Sequence, residues 1–297
     1  MSDPVWAAIE TGGTKILARI VDAAGHALAE GRWTTATPQA ALEELTTFIA
    51  GSVAPGQRLA AIGMAAFGPL VRDRSSPDHG RVLSTPKAGW TGANLRAQLA
   101  ARFAVPVAID TDVNAAARAE WQRGAGRGVR SLAYVTVGTG IGGGLVVDGE
   151  PLAGALHPEI GHITLARRAG DSVRSVCPFH ANCVEGLAAG PAVAQRLGAD
   201  RTLAEDPAVL ELEAAYLGDL AATLVLAWSP QRMVWGGGVM ATPRLLERLR
   251  GALGAALGGY GVGEAASAAD FCVLAELADS GLEGALLLAR EVSRAPR

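Results

Sequence analysis

Cys177, His180 and Cys183 fall within seven consecutive residues, and His162 lies fifteen positions before the first of them. Thiolates and imidazoles are the ligands zinc takes, and four of them together make a closed, tetrahedral, structural site. A second reading is two buried thiols beside two surface imidazoles; the tight spacing favours the metal. His157 competes as a ligand. Cys272, in an apolar stretch, reads as core. Three cysteines, sparse and odd in number, describe no disulfide framework.

Two glycine segments form a second kind of chemistry. Gly12-Gly13-Thr14-Lys15 and Gly138-Thr139-Gly140-Ile141-Gly142-Gly143-Gly144 each separate two apolar runs. Glycine tolerates positive φ and has no Cβ, so backbone N–H groups can converge on a phosphate that approaches closely. One such turn could be a plain hairpin; two in equivalent places favour phosphate binding. The spacing Gly138-x-Gly140-x-x-Gly143 formally matches a dinucleotide fingerprint, but that fingerprint opens a helix. Here Leu145-Val146-Val147 continues as strand to a turn at Asp148-Gly149. A Walker A loop fails as well: no glycine precedes Gly13 at the required spacing, and a strand follows. Two glycine hairpins gripping phosphates from two halves point to an actin-like ATPase architecture.

Asp112 follows the apolar run VPVAI and precedes a helical pattern. That is the carboxyl end of a strand, where α/β sheets bind ligands. Spacing alone favours a helix cap for Asp112; a general base for phosphoryl transfer is the second role, and one residue can serve both. Asp110 is the runner-up, and Asn114 would face the same cleft.

The elements that must position these groups follow from periodicity. Residues 5–22 predict strand, glycine turn, strand. Residues 131–149 repeat that unit, a weak internal repeat that suggests two related halves. Between them lie a helix over 38–51, a strand over 59–67, an exposed connection over 72–92, an amphipathic helix over 93–103, the VPVAI strand and a helix over 113–123. Residues 150–185 are loop-rich. The remainder is mostly helical, with short strands near 233–235 and 271–274 and a last helix over 281–293. Alternating strands and helices predict an α/β class.

Composition narrows the function classes. Of 297 residues, 49% are hydrophobic and 19% charged, with a net charge of −3. This suits a packed protein without pull toward nucleic acid or anionic membrane. The start, MSDPVWAAIE, lacks a secretory pattern. No run approaches the ~18 apolar residues of a membrane helix, and a cytoplasmic protein is expected. Of 26 basic residues only Lys15 and Lys87 are lysines, and both fall inside motifs named here.

Taken together, ETGGTK at 10–15, STPKAGW at 84–90, DTDVNAAARAE at 110–120, VGTGIGGG at 137–144, HPEIGH at 157–162, CPFHANCVEGLAAGP at 177–191 and VWGGGVM at 234–240 resemble the ROK family of sugar kinases, fructokinase branch. The resemblance spans nearly the whole chain. It implies a two-domain actin-like (ribonuclease H-like) fold with an interdomain cleft, domains over 1–113 plus 281–297 and over 114–280, and transfer of phosphate from Mg²⁺·ATP to a hexose, fructose foremost. By resemblance Asp112 is the general base. Glu10, Gly12, Gly13, Thr14, Lys15, Gly138, Thr139, Gly140, Gly190 and Gly236-Gly237-Gly238 would hold the nucleotide, the last three against adenosine. Glu10 stands where the family usually has an aspartate supporting magnesium. Gly68, Lys87, Asn114, Glu159, His162 and Glu185 would hold the sugar, since a carboxylate can accept from two neighbouring hydroxyls. His162, Cys177, His180 and Cys183 would bind structural zinc, with histidine inside the loop where most members carry cysteine. A homodimer fits the family.

The competing expectations are a kinase for glucose, mannose or an N-acetylhexosamine, a non-catalytic sugar-binding regulator, and a sugar-responsive repressor. The last would need a DNA-binding domain, for which the ten residues before the first glycine turn leave no room.

Overall fold

A computed structural model describes residues 2–294; residues 295–297, expected to continue the first domain, lie outside them. The chain forms two compact units. Unit 1 comprises residues 1–119, 153–157 and 277–297, and unit 2 comprises residues 120–152 and 158–276.

Unit 1 is built on β1 (Asp3–Thr11), β2 (Lys15–Val21), β3 (Ala27–Thr34), β4 (Gln57–Ala66) and β5 (Val107–Thr111), in the order β3-β2-β1-β4-β5. The first three strands are antiparallel, whereas β4 and β5 run parallel to β1. Register places Thr11 beside Ala66 and Ala66 beside Thr111, so three strands end in one row. The turn after β1, the loop after β4 and Asp112 therefore share that carboxyl edge.

Helix α1 (Pro38–Ser52) buries Ala41, Leu45 and Ile49, one helical stripe, and Thr37 caps it by accepting from Ala40 N. Asn94 caps α2 (Leu95–Phe103) through Ala97 N, so this helix starts at 95 rather than 93. Helix α3 (Asp112–Arg123) opens on Asp112 itself, one residue before the expected start.

Two expectations fail here. Strand β3 was not predicted: Ala29, Gly31 and Trp33 alternate with Glu30, Arg32 and Thr34, but two of the three inward residues are small and none is fully buried, so the signal of this edge strand is weak. The connection over 72–92 is not simply exposed: Val82 and Trp90 are buried in the core of unit 1.

Unit 2 repeats the plan with β6 (Ser131–Val137), β7 (Ile141–Val147), β8 (Glu150–Pro151), β9 (Arg232–Gly236) and β10 (Cys272–Leu274), ordered β10-β9-β6-β7-β8. Counted from its own first strand this is the same 3-2-1-4-5 order, so the internal repeat extends to the whole sheet. Short helices α4 (Val184–Ala188) and α5 (Gly190–Leu197) precede the long α6 (Pro207–Trp228). Helix α7 (Leu245–Leu257) buries Leu245, Leu249, Leu253 and Leu257, each worth about 2 kcal/mol when removed from water. Gly218 lets α6 approach α7 at Ala252. A one-turn α8 (Gly263–Ala266) leads to β10.

The last helix, α9 (Ser280–Val292), belongs to unit 1 and packs on β1 and β4 with Leu282, Ala285, Leu286 and Leu288 buried. A Cβ at Gly63 of β4 would run into Ala285 O, and one at Gly284 into Ala115 O, which is why small residues stand at both contacts. Among the described residues no helix is long and apolar enough to cross a membrane.

Candidate functional site

In unit 1, β1 turns through Gly12, Gly13 and Thr14 into β2. Gly12 N donates to Lys15 O at 2.8 Å, and Thr35, buried, donates from Oγ1 to Gly12 O at 2.7 Å and from N to Thr14 O at 3.0 Å. Thr35 thus fixes the turn from the neighbouring strand end, a role nothing in its own sequence context signals. The positive φ expected of phosphate-loop glycines is absent at Gly12, Gly13, Gly138 and Gly140. What glycine supplies is space. A Cβ at Gly13 or Gly138 would meet nothing within 4 Å, so an incoming anion finds bare backbone.

Glu10 precedes this turn. Its carboxyl group lies at the start of α9, where a Cβ on Gly281 would sit 2.8 Å from Cδ and where the Leu282 N–H donates to it. Burial raises its pKa, the Lys15 charge opposes this, and Asp279 adds to it. Lys87 lies in the segment that resemblance assigns to sugar, yet its Nζ donates to Gly13 O at 2.8 Å. Gly68 lies two residues beyond the end of β4, and its bond to Pro69 is cis.

Asp110 and Asp112 separate cleanly. Asp110 is buried and filled with donors: Arg72 Nε at 2.7 Å and Nη2 at 2.9 Å, Asn114 Nδ2 at 2.9 Å and Thr111 N at 2.7 Å. Three of these donors converge on Oδ1 and one reaches Oδ2, so Arg72, Asn114 and Thr111 tie Asp110 into the scaffold. Asp112 is the first residue of α3 and only half-buried, and its Oδ1 accepts from Val113 N at 2.9 Å; the cap expected of it is supplied by Thr111, whose Oγ1 accepts from Asn114 N at 3.2 Å. Asn114 is buried with its amide nitrogen on Asp110. Arg72 was missed because it lies 38 residues from Asp110 in an irregular segment.

In unit 2, Gly138-Thr139-Gly140 joins β6 to β7, and Gly138 N donates to Gly140 O at 2.9 Å. Glu185 Oε2 accepts from Ile141 N at 3.0 Å, and a Cβ at Gly140 would lie 2.6 Å from that oxygen. Gly190, at the start of α5, donates to Gly138 O at 2.7 Å, and a side chain there would press on the same carbonyl. Gly237, at φ +89°, brings its Cα against Val137 O, while a Cβ at Gly238 would face open space. These glycines draw the ends of β6 and β9 together.

Glu159 stands before a one-turn helix, Ile160–His162. Burial, with the Glu185 charge second, pushes its pKa up to about 7. His162, Cys177, His180 and Cys183 present ligand atoms all within 4.8 Å of one another. Cys177 Sγ is 3.8 Å from His162 Nδ1 and 3.6 Å from His180 Nδ1. Tetrahedral zinc, with S and N ligands at their usual bond lengths, needs about 3.6 Å between them. The four groups fit such an ion. Cys183 is buried, and a two-residue bridge between Thr164 and Cys183 draws the loop closed. Burial foremost pushes the Cys183 thiol up to about 11. His157, the competing ligand, lies in unit 1 and accepts from Leu70 N at 3.1 Å.

A polar cluster that sequence reading did not find braces this loop. Asp171 takes Arg196 Nη2 at 2.8 Å and the Tyr216 hydroxyl at 2.7 Å, while Arg167 Nη1 reaches Val173 O at 2.6 Å and its Nη2 reaches Ala181 O at 3.2 Å.

Residues 6–292 match the ROK family. The chain is 39% identical over 251 residues to a fructokinase of Zymomonas mobilis, covering 83% of each chain. It is 34% identical over 285 residues to a fructokinase of Pediococcus pentosaceus, covering 95% of this chain and 96% of that one. Its fold is similar to a ROK family glucokinase from Streptomyces griseus solved with glucose and AMPPNP, with a TM-score of 0.78 and 26% identity over 97% of this chain and 99% of the other.

Proposed function

We propose, from the premise that this chain belongs to the ROK family, that it moves the γ-phosphoryl group of ATP to a hexose, with fructose as the acceptor and fructose 6-phosphate as the product. Its fold is the actin-like ATPase fold, and it is an ATP-dependent sugar kinase. Fructose is favoured because relatives named fructokinase are 34–39% identical to this chain, against 29–32% for relatives named glucokinase. Glucose is the second reading, carried by the Streptomyces griseus enzyme solved with that sugar.

The observation that carries the mechanism is the contrast between two acids at the end of β5: Asp110 is buried and tied to Arg72, Asn114 and Thr111, whereas Asp112 is half-buried. This contrast supports Asp112 as the acid that receives the acceptor hydroxyl's proton. Phosphoryl transfer asks the protein for position and charge rather than covalent chemistry. The sterically open backbone at Gly13 and Gly138 suits the close approach of phosphate oxygens, and the open face of Gly238 suits adenine. Magnesium would enter with ATP as part of that substrate, and Glu10 stands where it could support the ion. Glu159, Glu185 and Asn114 would orient sugar hydroxyls.

Zinc would be held by His162, Cys177, His180 and Cys183. It supplies no chemistry to the transfer; it ties down the segment that carries Glu159 and Glu185. The protein would act in the cytoplasm as a homodimer. ADP release from Mg·ATP, measured with fructose, glucose, mannose and N-acetylmannosamine in turn, tests the reading. Fructose is expected to give the highest kcat/KM; preference for another hexose removes the substrate, and silence with all four removes the kinase.

A further inference from the structure

Lys87 is assigned to the sugar by sequence resemblance, and its side chain reaches the first glycine turn. Nζ lies 2.8 Å from the carbonyl of Gly13, at the tip of the first glycine turn. Its place there is fixed by packing. Trp90, three residues on, is buried, meets Phe67 edge-on at 4.9 Å and donates from Nε1 to Ala36 O at 2.8 Å. Trp90 N in turn donates to Lys87 O at 3.2 Å. The turn that carries Lys87 is thereby clamped over the glycine turn.

The charge balance at this turn is uneven. The other lysine of the chain, Lys15, sits at the start of β2, where its charge acts on the Glu10 carboxyl. Lys87 has no carboxylate partner among the described residues, and of its three N–H donors one is used, on Gly13 O. A cation without a counter-ion, held beside exposed and sterically open backbone, is half of an anion site.

We propose that Lys87 contacts the transferring phosphoryl group and completes the phosphate site of the first glycine turn. This rests on the kinase reading above. In the transfer, the acceptor hydroxyl oxygen bonds to the γ-phosphorus while the bond from that phosphorus to the β–γ bridging oxygen breaks. The hydroxyl proton goes to Asp112, and ADP leaves with the bridging oxygen's electron pair. Charge gathers on the three outer oxygens of the group in flight. An ammonium aimed there stabilises the transition state more than the ground state. Lys87 keeps a donor on Gly13 O throughout, which holds the two elements in register.

The test separates γ-phosphate contact from sugar contact and from a merely structural tie. AMPPNP and ADP affinities are measured without sugar for wild type, Lys87→Met and Lys87→Arg, and kcat and both KM values are measured with Mg·ATP and the preferred hexose. The expected result is a fall in kcat of roughly 10²–10³-fold in Lys87→Met, a loss of AMPPNP affinity with ADP affinity kept, an unchanged sugar KM, and partial recovery of kcat in Lys87→Arg. A raised sugar KM with AMPPNP affinity intact overturns the proposal, and so does equal loss of AMPPNP and ADP binding. Failure of the kinase reading is distinguishable, because wild type would then turn over no hexose at all.

Discussion

Arg72 grips Asp110 side-on, with Nε on Oδ1 at 2.7 Å and Nη2 on Oδ2 at 2.9 Å. Such a paired fork is among the strongest polar contacts a protein makes. It joins the irregular segment after β4 to the last turn of β5, and through Asn114 Nδ2 it reaches the first turn of α3. Asp112 sits between those two fixed points. The carboxylate that braces the scaffold and the one proposed to take the proton are neighbours.

Removing Arg72 therefore acts first on stability. Arg72→Ala leaves a buried carboxylate short of two donors, a change that costs about 3 kcal/mol in comparable buried pairs. A lowered midpoint in urea, with a smaller drop in kcat than Asp112→Asn gives, is expected. Unchanged stability would show that the fork contributes nothing.

The metal prediction is separate. Cys183→Ser should lower zinc content and Tm together, and a chelator should do the same to wild type. Metal content is read by atomic absorption on the purified protein. A zinc-free wild type as stable as the native preparation would contradict the structural role.

Much of this was legible in the sequence for definite reasons. The glycine turns stand out because apolar strands flank them on both sides. The metal group stands out because three ligands are close in sequence, and the structure gathers all four within 4.8 Å. The rest depends on pairs distant along the chain. Lys87 meets Gly13 across 74 positions, and Arg72 meets Asp110 across 38. No periodicity encodes such contacts. Strand β3 alternates Ala29, Gly31 and Trp33 with Glu30, Arg32 and Thr34, but small inward residues at 29 and 31 make that alternation faint, and it was missed. The glycines were read for backbone freedom, whereas at 13, 138 and 140 they matter for the missing Cβ.

Gly13 offers a test of phosphate approach without damage to the fold. Its φ is not positive, and an added methyl meets nothing. Gly13→Ala should keep its stability within about 0.5 kcal/mol and raise the KM for ATP by 10-fold or more (roughly 1.4 kcal/mol in binding). An unchanged ATP KM would place the phosphates away from this turn.

Glu213 supplies a pH-dependent prediction. It is fully buried in α6, both carboxyl oxygens lack a hydrogen-bond partner, and burial raises its pKa well above 4.5, opposed in part by Arg196. A raised folded pKa means the native state holds the proton more tightly than the unfolded chain. Its contribution is fully present below pH 4.5 and is lost as pH rises through the folded value. Glu213→Gln removes this loss, so the variant should gain in Tm over wild type progressively as pH rises above 4.5. A Tm difference that stays constant with pH would contradict a raised pKa at Glu213.

The most direct measurement compares turnover of wild type and Asp112→Asn with Mg·ATP and fructose, alongside fructose binding to each by calorimetry. The account predicts ADP release by wild type, a fall of roughly 10²–10⁴-fold in kcat for the variant, and fructose affinity kept. A variant that retains most of its turnover would contradict Asp112 as the base, and with it the division of labour between Asp110 and Asp112.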